Sequence, residues 1–333
     1  MLTSTIAPPA RNSPAPAVVA QATVGTEPAP RPSFRPYDVS VAAVQRLSHN
    51  FTRVTFTGAQ LHEFGTAGLD QRIKIVLPLP QVGVAHFPRV TAWYEAWRNL
   101  PDGLRNPIRT YTVRAVRPER REVDIDFVMH GDGGPASSWV ATASVGDCLT
   151  IVGPDERGEN PRAGIEWRPG AARALLIAGD ETAAPAICSI LAALPRDAVG
   201  CAFIEVPNAE DAQPTDAPAG VCVTWLARST AGHGVALDLA VRGWTDRFLT
   251  EHHAAALAER AELAELDLDR EMLWDVPAPV AVDDAGLSGH LYAWLAGEAS
   301  VIKGLRRFLV TETGIDRRQV AFMGYWRDGR AEC

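Results

Sequence analysis

Three clusters in this sequence have residue types and spacing suited to holding a charged, ring-bearing cofactor. The first is Arg109-Thr110-Tyr111-Thr112, in a β-type stretch. An Arg there can grip a phosphate through a charge-assisted fork, and a Tyr can lay its ring on a flat heterocycle. Taken alone, the same residues also read as ordinary surface and rim positions of a strand. The second is His130-Gly131-Asp132-Gly133-Gly134-Pro135-Ala136-Ser137, running into Trp139. Its glycines permit close backbone approach, and Pro135 suits the first turn of a helix whose free N–H groups and positive dipole end would face an anion. An ordinary strand–turn–helix joint explains the Gly and Pro residues but not their pairing with Arg109 and Tyr111. The third is Gly179-Asp180-Glu181-Thr182, which follows an apolar strand. It lacks the G-x-G-x-x-G dinucleotide fingerprint, and its acids would repel a bare pyrophosphate, although backbone N–H groups at the helix start could still receive one.

Composition narrows the remaining chemistry. The chain has 333 residues with 32 Lys+Arg against 40 Asp+Glu, and this acidic balance excludes a general nucleic-acid binder. Residues 245–285 hold eleven acids and three Arg, a net charge of −8, so the acidity belongs to one segment. No apolar run reaches the ~20 residues that a membrane helix needs. The cysteines at 148, 188, 201, 222 and 333 show no C-x-x-C spacing. That argues against a zinc or iron–sulfur site and fits buried, reduced thiols. With no signal-peptide pattern, a cytoplasmic protein is expected. Lys74 and Lys303 are the only lysines among 32 basic residues. They survive either by chance or because a compact ammonium is useful where they stand.

The elements that must position these clusters fall into two groups. Residues 1–36 contain eight Pro and seven Ala and read as a disordered leader. Short β segments are expected at 37–47, 51–57, 72–77, 108–116, 122–129 and 148–152, which suggests a six-stranded antiparallel barrel spanning 37–160. In the fifth segment Val123, Ile125 and Phe127 alternate with Asp124 and Asp126, predicting one buried and one wet face. A helix is expected from Pro135, and residues 78–107, with Trp93, Tyr94 and Trp97, as a helical excursion over the barrel. From 170 to 333 strands at 174–178, 201–206, 221–226, 291–296 and 319–323 alternate with helices near 184–194, 235–241 and 299–311. This pattern implies a Rossmann-like parallel sheet, which binds ligands beyond the carboxyl ends of its strands. The acidic insertion at 245–285 reads as a surface amphipathic helix, with Leu249, Ala256, Leu257, Leu263 and Ala264 at helical spacing.

In this order, an antiparallel barrel, R-x-Y-T, a glycine turn into a helix and then an α/β half, the chain resembles the ferredoxin-reductase superfamily. Within it, the chain resembles the siderophore-interacting proteins, flavin-dependent ferric-siderophore reductases. The likeness runs from about Tyr37 to Glu332 and rests on Arg109–Thr112, D-F-V-M-H-G-D-G-G-P-A-S at 126–137, A-G-D-E-T at 178–182, A-W-L-A-G-E-A at 293–299 and G-Y-W-R-D-G-R-A-E at 324–332. The resemblance implies FAD in the barrel, with Arg109, Thr110, Tyr111 and Thr112 at its isoalloxazine and phosphate region. Asp126, Phe127, Val128 and His130 would line the flavin, and Gly134, Pro135, Ala136 and Ser137 would receive the pyrophosphate. NADH or NADPH would bind the α/β half through Gly179, Asp180, Glu181, Thr182, Ala296, Gly297 and Glu298, and Arg228 could meet a ribose 2′-phosphate or be a plain surface Arg.

The resemblance further implies a ferric siderophore as substrate, with Lys74, Lys303 and Arg306 as its basic anchor. The chemistry would reside on the flavin, so no side chain need act as acid or nucleophile and no resident metal is expected. A monomer or weak dimer is expected, with no nucleic-acid partner. The alternatives are a general flavin reductase or electron-transfer module on the same fold, and a siderophore-binding protein without turnover.

Overall fold

A computed structural model of the protein describes residues 31–129, 134–228, 230–251, 274–277 and 291–329. Strands β1 (Phe34–Arg46), β2 (Phe51–Thr57), β3 (Arg72–Val76), β4 (Ile108–Arg117), β5 (Glu122–Val128) and β6 (Cys148–Pro154) form the first sheet. They close into a barrel in the order β1-β2-β5-β4-β3-β6, with every neighbouring pair antiparallel. Alternation drives the closure: Val54, Phe56, Ile73, Ile75, Val113, Val123, Ile125, Phe127 and Ile151 point inward and are buried together. Phe34, Arg35 and Pro36, read as leader, belong to β1, where Arg35 pairs with Gly153. The rest of the leader lies outside the described residues, apart from Arg31–Ser33.

The wet face expected on β5 is absent, because arginines of the neighbouring barrel strands lie against its two acids. Asp124 and Asp126 are 6% and 2% exposed. Arg53 holds Asp126 by a fork of 2.6 and 2.8 Å, and Arg117 holds Asp124 at 2.7 and 2.8 Å. Nor is 78–107 a helical excursion throughout. Its one α-helix is α1 (Trp93–Arg98), and Asp102–Leu104 makes a single 3₁₀ turn. Trp93 and Trp97 pack beside Phe87 on the outside of the barrel, against Val76, Ile108 and Val152.

Helix α2 (Pro135–Thr142) plugs one end of the barrel, with Ala136 and Val140 buried in its core. Trp139 stacks on Phe56 at 6.1 Å and is a core-packing residue.

The second sheet contains β7 (Ala174–Gly179), β8 (Gly200–Val206), β9 (Val221–Ala227), β10 (Trp274–Asp275), β11 (Leu291–Glu298) and β12 (Val320–Trp326). Its order is β10-β12-β11-β7-β8-β9. All pairs are parallel except the edge pair β10–β12, a two-residue strand that the sequence pattern does not announce. β7 is apolar throughout because both faces are covered. Leu175 and Ile177 face the core beneath α3 (Ala184–Ala193), while Leu176 and Ala178 face the core beneath α4 (Val235–Glu251) and α5 (Ala299–Arg306). A π-helical stretch, Arg307–Glu312, prolongs α5. Leu249 lies on α4, whereas Ala256, Leu257, Leu263, Ala264 and most of the acidic insertion lie outside the described residues. The chain builds outward from β7 in one direction through β8 and β9 and in the other through β11 and β12, so the topological switch point lies between β7 and β11. Gly179 serves that junction: a Cβ there would stand 2.5 Å from the Ala296 carbonyl.

Three contacts fasten the two sheets together. Ser189 on α3 donates to the Val113 and Arg114 carbonyls of β4, each at 3.4 Å. Asp211, after β8, accepts from Ser48 and Asn50 in the β1–β2 turn at 2.5 and 2.7 Å. Asp70, just before β3, is 1% exposed and accepts from the Glu166 and Trp167 amides and from Trp294 Nε1 at 3.1, 3.1 and 3.3 Å. Removing a buried acceptor strands all of its donors without water. Asp70→Ala is therefore expected to cost about 2–4 kcal/mol, read as a lower urea midpoint at unchanged slope. An unchanged midpoint would mean that this carboxylate does not fasten the halves.

Candidate functional site

On the barrel, β4 presents its residues alternately. Thr110 and Thr112 share the outer face with their register partners Lys74 and Arg72, while Arg109 and Tyr111 share the inner side with Ile75 and Ile73. Tyr111 packs on Phe127 with ring centroids 4.5 Å apart. Arg109 is partly exposed; its Nη1 donates to the Ile108 carbonyl at 2.8 Å, and among the described residues no carboxylate pairs with it. At α2, Gly134 and Pro135 are exposed, and no side chain caps the helix start. The first amides of a helix have no internal partner, so the N–H groups of Ala136 and Ser137 remain available to an anion. An Arg without a carboxylate and an uncapped helix start fit a diphosphate, and the Tyr111 ring fits a flat heterocycle beside it. The FAD that the resemblance implies has both of these parts.

Several expected contacts lie beneath this surface rather than on it. Asp126 is consumed by Arg53, with Arg114 at 3.8 Å. Phe127 is fully buried in the barrel core, and Val128 packs into the core of the α/β half. The side chains of all three are buried, Asp126 against Arg53, Phe127 inside the barrel and Val128 in the neighbouring core. His130 and Gly131–Gly133 lie outside the described residues.

The carboxyl edge of the second sheet gathers a dense ionic cluster. Asp180 accepts from Thr182 N at 2.9 Å and Thr182 Oγ1 at 2.5 Å through one oxygen, and from Glu298 N and Trp326 Nε1, both at 2.8 Å, through the other. One carboxylate thereby ties the ends of β7, β11 and β12. Gly297 makes room for it: φ is +149°, and a Cβ would lie 2.6 Å from Asp180 Oδ2. Glu298 caps α5, accepting from Ser300 N at 2.7 Å, Val301 N at 3.0 Å and the Ser300 hydroxyl. Both acids serve the protein's own backbone.

Arg228 is likewise engaged and does not stand free for a 2′-phosphate. Its Nη2 pairs with Glu181 at 2.8 Å, its Nη1 lies 3.7 Å from Glu205, and it donates to His233 Nδ1. The other ring nitrogen of His233, Nε2, lies 3.5 Å from Asp180. His233 also stacks on Trp326 at 5.0 Å, and Glu205 accepts from the Gly234 and Leu237 amides at the start of α4. Asp180, Glu181 and His233 bring ligand-type atoms within 4.8 Å of one another, but here Arg228 supplies the positive charge.

Sequence reading missed Glu205, His233 and Trp326 in this cluster. Glu205 carried a usable signal as the lone charge in the apolar run C-A-F-I-E-V. His233 carried none.

The three expected anchor residues have different surroundings. Lys74 donates to Thr110 Oγ1 at 2.7 Å on the outer face of β3. Lys303 is exposed on α5. Arg306 does not join it in facing solvent: its guanidinium lies 4.5 Å over the buried Phe322 ring, where stacking and burial hold it.

Burial, and next the charge of Asp180, push the Glu181 carboxyl up from 4.5 to about 7, against the pull of Arg228. An acid with a raised folded-state pKa binds more protons folded than unfolded, so its contribution to stability falls as pH rises. The melting temperature is expected to lose this contribution between pH 4.5 and about 7, and Glu181→Gln should flatten that part of the profile. Parallel profiles for the two proteins would contradict the assignment.

Comparison with known proteins agrees with this geometry. Residues 40–158 match the siderophore-interacting FAD-binding domain, and residues 172–329 match the siderophore-interacting protein domain. The chain is 28% identical over 287 residues to the ferric vibriobactin reductase ViuB of Vibrio cholerae, covering 86% of this chain and 87% of that one. It is 29% identical over 298 residues to the NADPH-dependent ferric-chelate reductase of Escherichia coli K12, covering 89% and 94%. The crystal structure of the siderophore-interacting protein SipS from Aeromonas hydrophila superposes with a TM-score of 0.60 at 28% identity, covering 90% and 94% of the two chains.

Proposed function

The chain belongs to the siderophore-interacting protein family, and we propose that it is an FAD-dependent reductase carrying electrons from NADH or NADPH to iron(III) held in a siderophore. The observation that carries this reading is Arg109, unpaired by any described carboxylate, on the same barrel as the uncapped start of α2. It is supported by two relatives whose names describe ferric-chelate reduction, one of them NADPH-dependent.

In this reading Arg109 and the Ala136 and Ser137 amides hold the pyrophosphate, while Tyr111 supports the ring. FAD bound there would supply the redox chemistry, linking a two-electron hydride donor to a one-electron iron acceptor. The protein binds and orients. Gly179–Thr182 and Ala296–Glu298 flank the switch point, where the nucleotide would meet backbone rather than the already paired side chains. Lys74 and Lys303 offer ammonium charge to an anionic ferric chelate. Arg306 contributes less, because its guanidinium is committed to Phe322. No described helix is long and apolar enough to cross a membrane. We place the protein in the cytoplasm, where reduced nucleotide is supplied, as a monomer or weak dimer.

The test is NAD(P)H-dependent release of Fe(II), trapped by a ferrous chelator, from a ferric siderophore. Lys74→Ala and Lys303→Ala should each raise the chelate KM roughly fivefold, the weight of one screened ion pair of about 1 kcal/mol. They should also weaken its salt dependence while kcat stays nearly constant. Unchanged KM and salt dependence would remove the lysines from the anchor, and no Fe(II) with either nucleotide would overturn the reductase reading.

A further inference from the structure

Cys201 and Cys222, far apart in the chain, are register partners on the adjacent parallel strands β8 and β9. Their side chains share one face of the sheet. Phe203 and Leu226, on that face, belong to the core beneath α4 and α5, whereas Ala202, Val221 and Val223 belong to the opposite core beneath α3. Neighbouring strands lie about 4.8 Å apart, inside the window of about 4.4–6.8 Å between Cα atoms that a disulfide requires. The Cys222 side chain and Trp244 of α4 both act on the Cys201 thiol.

Their exposures differ in a useful way. Cys222 is exposed on the edge strand β9, and Cys201 is half-covered beneath α4. Burial pushes the Cys201 thiol up, which suits it to the second step rather than the first. Among the other described cysteines, Cys188 is buried and Cys148 lies on the barrel strand β6. No other described cysteine is a register partner of either thiol.

We propose that Cys201 and Cys222 form a redox modification site, a spatial dithiol closed by exchange with a small disulfide. Cys222 thiolate attacks the small disulfide, gives a mixed disulfide and releases one thiolate, which takes up a proton. Cys201, losing its proton, then displaces the second thiolate and closes the Cys201–Cys222 bond. Two protein thiols are oxidised and one small disulfide is reduced to two thiols. The closed bond would stitch the edge strand to the sheet beneath α4, apart from the flavin chemistry.

The full-length, FAD-loaded protein would be treated with oxidised glutathione, quenched with an alkylating agent and mapped without reduction. The expected product is a cross-linked peptide pair joining positions 201 and 222, lighter by about 2 Da than the sum of the free peptides and separated by a reductant. Cys201→Ser should halt at a stable glutathione adduct on Cys222. Three results would overturn the proposal: a persistent adduct on Cys222 in the unmutated protein, both thiols remaining alkylatable, or a cross-link from Cys222 to Cys333 or Cys148.

Discussion

A buried carboxylate, Asp70, decides how the halves of this molecule meet. It stands at the entry to β3 and takes the amides of Glu166 and Trp167 from the connecting segment and the indole N–H of Trp294 from the middle of the second sheet. A carboxylate with almost no water around it tolerates little movement of its donors, because each lost hydrogen bond leaves a buried polar group unmet. The connecting segment is therefore tied at Glu166 and Trp167 to the barrel residue that also meets Trp294 of the second sheet. Asp211 and Ser189 fix the same relation from other directions.

The same economy of charge governs the candidate site. At the carboxyl edge Asp180, Glu181, Glu205 and Glu298 are nearly all spent on backbone amides, Arg228, Thr182 and Trp326. Acids that would repel a pyrophosphate if exposed are folded inward to hold strand ends and helix starts together. Basic groups also reach the surface: Arg109 on the barrel is partly exposed, Lys303 on α5 is exposed, and Lys74 lies beside Thr110. An acidic chain can thus present a locally cationic site to an anionic cofactor or chelate.

Local chemistry was legible where the physics is local. Alternation in β5, the unbroken apolar run of β7 and Pro135 at a helix start each fixed an element from neighbours a few residues away. Partnerships across the chain left no such mark. The expected wet face of Asp124 and Asp126 failed because Arg53, from a strand 73 residues before Asp126, and Arg117 fold over the two carboxylates. Arg228 could not be distinguished from a free surface Arg, since Glu181 and Glu205 reach it only through the sheet. The β8–β9 register that brings Cys201 to Cys222 was hidden in the same way, and so the thiols read as scattered. The edge strand Trp274–Asp275 is too short to have a period at all.

The central claim is that electrons pass from a pyridine nucleotide through FAD on this barrel to chelated iron. The most direct measurement is anaerobic absorbance of the FAD-loaded protein, first with NADH or NADPH and then with a ferric siderophore. The oxidised-flavin band is expected to bleach with at least one nucleotide and to return on addition of the iron complex. A band that remains oxidised with both nucleotides, or that bleaches and stays bleached when the ferric siderophore is added, would contradict it.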